Sequence, residues 1–461
     1  MILAALLRRL RLSQIAACFI VLLLAVARVA TAHVHLQRTD PMPGTRLDSV
    51  PRQIRFWFSE SVQMPFTAVT LTAADGSVIP LRPPVAATKA GEVDVAIEPA
   101  LSAGTYTVAW RTTSADGHPA HGSFVFTVAA NARGLATADS VVTPVSPPAV
   151  LPSVVSPPIE APTFEVSSAA YVIIRWLSFS ALLIAVGSVV FLAVVLPRVG
   201  GPAAQALARD ARSLGAAAAW SLIALTLMRF GAQWFALRGA PGMAGPSMSA
   251  MLTGSAWGIG WVGELLLALA LALTVRGAGT GITVGIAALL SFMPALSGHP
   301  MSMEALTPVM VLSDGVHVFA AAAWLGTLFV ITTVGLSAAL RLESTARMQT
   351  VAAMVDRFSP MAMASAGAMV LTGGFAAWAH LRSLSALTES AYGKVLLVKL
   401  ACFAAILAFG AFHQNISRRR LAKDASATVA FRRSALAELG LATVLLIVTA
   451  ILVVTSPPFP R

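Results

Sequence analysis

From about residue 168 onward the chain is a series of apolar runs, each separated from the next by a short polar break. The runs fall near 168–196, 214–236, 257–275, 280–297, 309–335, 353–378, 394–412 and 434–455. A bilayer core needs roughly 20 apolar residues per helix, so this half is expected to be an all-α transmembrane bundle of eight helices. Composition agrees. Of 461 residues, 57% are hydrophobic and only 11% charged, against about 25% charged in soluble domains.

The net charge of +12 has a topological explanation. With the segment before the first span placed outside, the inward gaps collect Lys and Arg from Arg198, Arg209 and Arg212 to Arg432 and Arg433. The outward gaps hold only Arg238 and Arg382. That asymmetry follows the positive-inside rule, so the basic excess does not imply a nucleic-acid partner. No GxxxxGK[ST] phosphate-binding loop occurs, so no nucleotide partner is expected either. Cys18 and Cys402 both lie in apolar stretches and offer neither a disulfide framework nor a thiolate metal site.

The N-terminus has the form of a secretory signal over 1–32. Arg8, Arg9 and Arg11 precede an apolar run from Ile15 to Val26, and Ala30-Thr31-Ala32 fits a cleavage site. Cleavage there exports the following segment and leaves His33 as its first residue. Residues 33–129 change character. Ile54-Arg55-Phe56-Trp57-Phe58, Val93-Asp94-Val95-Ala96-Ile97 and Tyr106-Thr107-Val108-Ala109-Trp110 alternate, with turn residues such as Asp75-Gly76 between runs. Short alternating strands at regular spacing predict a small all-β sandwich or barrel. Residues 130–165 are rich in Pro, with Ser146-Pro147-Pro148 and Ser156-Pro157-Pro158, and form an extended tether. The transmembrane domain then occupies 166–461.

All four His of the β segment fall in two places, His33-Val34-His35 and Asp116-Gly117-His118-Pro119-Ala120-His121. A terminal His presents its α-amine and imidazole together, closing a chelate ring on one metal. Amine, imidazole and carboxylate in a tetragonal arrangement suit Cu(II). His33, Asp116 and His118 are the expected ligands, with His35 and His121 as secondary candidates.

Residues 33 to about 128 resemble the periplasmic copper-binding CopC family, which has an immunoglobulin-like sandwich. The matching pieces are the terminal His, Thr39-Asp40-Pro41-Met42-Pro43-Gly44, Phe56-Trp57-Phe58-Ser59-Glu60, the run Leu101 to Trp110, and Ser114-Ala115-Asp116-Gly117-His118-Pro119. In that family the terminal His and the Asp and His of the last motif bind Cu(II), which the resemblance carries to His33, Asp116 and His118. The membrane half resembles the CopD family through Arg175-Trp176-Leu177, Ser297-Gly298-His299, Asp314-Gly315-Val316-His317 and Trp324-Leu325-Gly326. Arg357-Phe358-Ser359, Leu371-Thr372-Gly373-Gly374, Tyr392-Gly393-Lys394 with Lys399, and Pro457-Pro458 continue the match. A CopC domain fused ahead of CopD implies copper acquisition or tolerance.

Ionisable residues inside a bilayer are costly and generally face a partner or a pathway. Arg175, Arg229, Glu264, Asp314, His317 and Lys399 are expected within about three helical turns of the outer surface. Asp314 and His317, at i and i+3, share a helix face, so the carboxylate is expected to hold the imidazole in one tautomer. An Arg paired with Glu264 or Asp314 for neutralisation alone is the competing reading. Lys399 reads as a snorkelling side chain. The loop before span five adds His299, Met301 and Met303, whose thioether and imidazole groups suit Cu(I); His380, at the outer end of span six, can join His299 and His317.

These observations predict a multi-pass bacterial inner-membrane protein with its β domain in the periplasm. It captures Cu(II) there and passes copper, as Cu(I) or Cu(II), inward through the membrane domain. No catalytic residues are expected. Its partners are copper ions and the lipid bilayer, with a periplasmic copper donor or a reductant. The alternatives are copper sequestration without import, and membrane electron transfer through a haem held by paired His.

Overall fold

The computed structural model describes residues 36–114 except 90, 119–133, 168–237 except 201, 245, 247–298, 306–381, 383–421 and 427–455. The chain forms two compact units. In the first, β1 (Leu36–Asp40), β3 (Gln53–Phe58), β7 (Glu92–Ala96) and β6 (Val85–Ala86) form a four-stranded sheet in the order β1-β3-β7-β6. The other sheet runs β2-β9-β8-β4-β5, from β2 (Arg46–Ser49), β9 (Pro119–Arg133), β8 (Gly104–Thr113), β4 (Ala68–Ala73) and β5 (Val78–Ile79). Among the described residues, only the β2–β9 pairing is parallel.

The period of two in the sequence becomes the two faces of each strand. Ile54, Phe56 and Phe58 are buried while Arg55 between them is exposed. Val93 and Val95 repeat the pattern on β7, and Tyr106, Val108 and Trp110 on β8. One core fills the space between the sheets. Phe58 meets Trp110 edge-on at 5.3 Å and Phe56 meets Phe124 at 6.2 Å, so rings from one sheet seat on rings of the other, as in a sandwich. At Gly91, φ is +80° and a Cβ would lie 2.7 Å from the Phe58 carbonyl oxygen, so only glycine fits.

The second unit is helical. Its spans are α1 (Ala169–Arg198), α2 (Pro202–Leu237), α3 (Ala256–Thr274), α4 (Thr280–Leu296), α5 (Thr307–Ala339), α6 (Ser344–Leu381), α7 (Ala391–Leu421) and α8 (Ala427–Leu452). Among the described residues, seven are long and apolar enough to cross a bilayer, and α4, at 17 residues, is the shorter eighth. At about 1.5 Å per residue α4 is near 25 Å long, the lower limit for a span. The expected count of eight helices therefore stands, with one of them short.

Helix packing in lipid gains little from hydrophobicity, so close approach of small residues matters. α1 and α5 cross in backbone contact: a Cβ on Gly326 would lie 1.9 Å from the Leu183 carbonyl oxygen, and one on Gly187 2.3 Å from the Gly326 carbonyl carbon. Thr327 Oγ1 donates to the Gly187 carbonyl at 3.2 Å beside this crossing. α5 widens there into a π-helical turn, Ala322–Gly326, a distortion common near functional sites. The Phe292 ring of α4 presses on the bare backbone of Gly315. Gly315 and Gly326 fix how the Asp314–His317 turn of α5 sits among its neighbours.

Candidate functional site: a cavity at one end of the helical bundle

A cavity of about 470 Å³ lies within the helical unit. Its lining follows the alternation of helix direction. Odd-numbered helices contribute from their first turns: Arg175 from α1, Trp257 from α3, Asp314 and His317 from α5, Tyr392 and Lys399 from α7. Even-numbered helices contribute from their last turns: Arg229 from α2, Pro294 from α4, His380 from α6 and Leu452 from α8. The cavity therefore occupies the end of the bundle at which α1 begins, where the ionisable groups of the spans were expected.

His317 is half-buried, and its Nδ1 is 2.8 Å from Thr372 Oγ1 on α6. Thr372 has a single hydroxyl proton and donates it to the Ala368 carbonyl at 2.7 Å. Nδ1 is thereby engaged by α6, and Nε2 is the ring nitrogen with no hydrogen-bond partner among the described residues. Nε2 is the nitrogen left for a metal or a proton. This corrects the expectation that Asp314 sets the tautomer. Asp314 does share the cavity with His317, but the hydrogen bond to the ring comes from a different helix.

Lys399 is the second correction. Depth alone suggested a snorkelling side chain, whereas the structure turns it into the cavity, where it interacts electrostatically with Asp314 without a direct hydrogen bond. Arg229 and Glu264 form the neutralising pair that the sequence suggested: Arg229 Nη2 donates to Glu264 Oε2 at 2.8 Å. Glu264 Oε1 accepts from Thr226 Oγ1 at 2.9 Å, and Trp261 Nε1 donates to the Thr226 carbonyl at 2.7 Å. Arg175 has no such carboxylate among the described residues; its guanidinium lies over the Tyr171 ring at 4.9 Å. His380 is buried, edge-on to Tyr392 at 6.1 Å.

Asp314, His317 and His380 thus line one cavity, but among the described residues no three His, Cys, Asp or Glu are grouped closely enough to hold a metal ion. His299, Met301 and Met303 lie outside the described residues, as do His33, His35, Asp116 and His118. The flanks of the Asp116–His118 segment are visible. β8 and β9 pair up to Thr113↔Pro119, with His121 opposite Arg111. Gln63 holds the end of β8: its backbone N–H donates to the Thr113 carbonyl and its Nε2 to the Ser114 carbonyl, both at 2.8 Å. Thr372 and Tyr392 are the site residues to which no role was attached beforehand. Their signal was a polar group beside small residues (Thr372-Gly373-Gly374 and Tyr392-Gly393) in otherwise apolar helices.

Fold and cavity together define a polytopic membrane protein with a two-sheet β domain ahead of its bundle. Residues 36–129 match the CopC domain, 166–307 the N-terminal domain of copper resistance protein D-like proteins, and 352–452 copper resistance protein D. The chain carries a CopC domain, by which it belongs to the CopC family, followed by CopD domains. It is 25% identical over 457 residues to the copper transport protein CutJ of Bacillus subtilis strain 168, covering 95% of this chain and 77% of that one. Copper resistance protein C of Escherichia coli is 36% identical over 115 residues, which are 23% of this chain and 90% of that protein. Among solved structures, the methionine-rich copper resistance protein PcoC from Escherichia coli is 28% identical over 21% of this chain and 99% of its own, with a TM-score of 0.20.

Proposed function

We propose that the protein acquires copper at a bacterial inner membrane, capturing Cu(II) in a periplasmic β domain and passing copper inward through the helical bundle. In this reading the chain comprises a signal peptide (1–32), the CopC-like domain (33–129), a Pro-rich tether (130–165) and the CopD-like bundle (166–461). His33, through amine and imidazole, with Asp116 and His118 holds the Cu(II). The ladder that clamps Ser114 and Pro119 gives the last two ligands a stiff base. The tether keeps the loaded domain at high effective concentration over the membrane.

The observation that carries the membrane half is the cavity. It collects Asp314, His317 and His380 at the end of the bundle where α1 begins, with Nδ1 of His317 engaged by Thr372 and Nε2 left without a hydrogen-bond partner among the described residues. His299, Met301 and Met303, between α4 and α5, complete the ligand set in this proposal. Lys and Arg crowd the opposite end of the helices, as the positive-inside rule asks of a cytoplasmic face, so the cavity faces the source of copper. The relative named for copper transport supports the same direction of reasoning. Handover from a Cu(II) site to thioethers calls for a reductant from outside the chain.

Copper accumulation per molecule of inserted protein tests it. His317→Ala abolishes accumulation in this reading while Cu(II) binding by the β domain is unchanged. Unchanged accumulation per molecule overturns the transport site, and a loss only in proportion to protein abundance assigns His317 to structure. The sharing of one cavity by His317 and His380 favours a second reading, a haem between two imidazoles. A Soret band in the purified protein would establish that reading instead.

A further inference from the structure

We propose that the cavity also binds a small organic carboxylate, so that copper enters accompanied by an anion; this rests on reading the cavity as the copper entry. Three cations, Arg175, Arg229 and Lys399, line it against one carboxylate, Asp314. Arg229 is neutralised by Glu264 behind the wall. Arg175 and Lys399 then face Asp314 alone, an excess of one positive charge among the described residues, counting the imidazoles as neutral. A chamber for a bare copper cation should carry the opposite sign, because like charges in a poorly screened site repel strongly.

Arg175 supplies the independent observation. It is only 6% exposed and lines the cavity, and its Nη1 is buried with no hydrogen-bond partner among the described residues. An unfilled buried donor is costly, and a guanidinium fork matches a carboxylate with two parallel hydrogen bonds. Lys399 adds a second cation on the same lining. The remaining walls are largely apolar, with Leu183, Met369, Leu396 and Phe403 among them. At about 470 Å³ the chamber falls in the range of small-molecule sites, far larger than a halide needs. Charge, donor and volume together point to an organic anion with a carboxylate head.

The test uses copper-free full-length protein in lipid nanodiscs, with organic carboxylates of increasing charge (lactate, then succinate, then citrate) as the probes and sodium chloride at equal ionic strength as the competing source of anion. Calorimetry should show saturable carboxylate binding, tightest for the singly charged lactate, that physiological chloride does not displace. Arg175→Gln and Lys399→Gln should each weaken it about tenfold or more, the loss of a charge-assisted contact, while Arg198→Gln leaves it unchanged. Absence of saturable binding, displacement by chloride, or indifference to both substitutions overturns the proposal. If a variant fails to insert, the wild-type chain decides: lactate must raise its melting temperature and sodium chloride must not. Because no copper is present, intact copper accumulation without carboxylate binding sinks only this inference. Carboxylate binding with His317→Ala accumulation intact sinks only the transport site.

Discussion

Thr372 Oγ1 lies in hydrogen-bond contact with His317 Nδ1 at 2.8 Å and with the Ala368 carbonyl at 2.7 Å. A single hydroxyl therefore transmits the backbone of α6 to the imidazole of α5 and decides which ring nitrogen faces the cavity. An orienting partner of this kind matters to a metal-binding His nearly as much as the ligand atom itself.

Thr372→Val keeps the shape and removes the hydroxyl. Nδ1 of His317 then lacks its partner, at a cost of about 1–3 kcal/mol, and the ring is no longer held in one tautomer and orientation. The expected result is a well-inserted protein with strongly reduced copper accumulation per molecule, and near-normal accumulation for Thr372→Ser. Near-normal accumulation in Thr372→Val with loss in Thr372→Ser would show that the methyl group, not the hydroxyl, is what the site needs.

In the β domain, one chelate ring needs a free α-amine on His33. Blocking cleavage with Ala32→Phe should weaken Cu(II) binding although every proposed ligand side chain remains. Asp116→Ala and His118→Ala should each loosen Cu(II), with His35→Ala and His121→Ala mattering less; His121 is already committed to the β9 register opposite Arg111. Competition titration of the purified proteins measures this directly. Equal affinity in the uncleaved chain removes the amine from the site.

What was legible in the sequence follows the periodicities. Ile54, Phe56 and Phe58 alternate because one face of β3 meets the other sheet. The apolar runs locate the spans, yet α2 begins at Pro202 where the run begins near 214, because Arg209-Asp210-Ala211-Arg212 is helical without being apolar. Hydropathy reports the stretch suited to lipid, and hydrogen bonding continues past it. Asp314 and His317 were legible as a pair since three residues return a helix to the same face. Thr372 was not, because its partner is 55 residues away on another helix. Lys399 was misread for the same reason: depth in a span says nothing about which way the helix is turned.

The crossing of α1 and α5 offers a purely steric expectation. A methyl at Gly326 would sit 1.9 Å from the Leu183 carbonyl oxygen, and that atom is backbone, so the helices have to move apart. Overpacking of this kind costs about 1–3 kcal/mol and sometimes more. Gly326→Ala should lower the melting temperature of the inserted protein and displace His317 relative to Arg175. Gly373→Ala is the control, since its new Cβ would only touch the His317 ring at 3.5 Å. A Gly326→Ala protein as stable as the wild type would mean that the two helices are not held at backbone contact.

The Arg229–Glu264 pair provides the sharpest separation of stability from function. Its side chains are only 7% and 2% exposed, and both oxygens of Glu264 are occupied, one by Arg229 and one by Thr226. Removing one member leaves the other buried and uncompensated, which costs about 3–5 kcal/mol, whereas replacing both with apolar residues of similar volume is often neutral. Glu264→Leu alone should therefore collapse protein abundance, and Arg229→Met with Glu264→Leu should restore most of it. The restored protein keeps Asp314, His317 and Lys399 in place, so copper accumulation per molecule should remain close to normal. Abundance by immunoblot of membranes and accumulation per molecule are the two measurements. A stable double variant that has lost accumulation would move Arg229 and Glu264 from the supporting wall into the transport site itself.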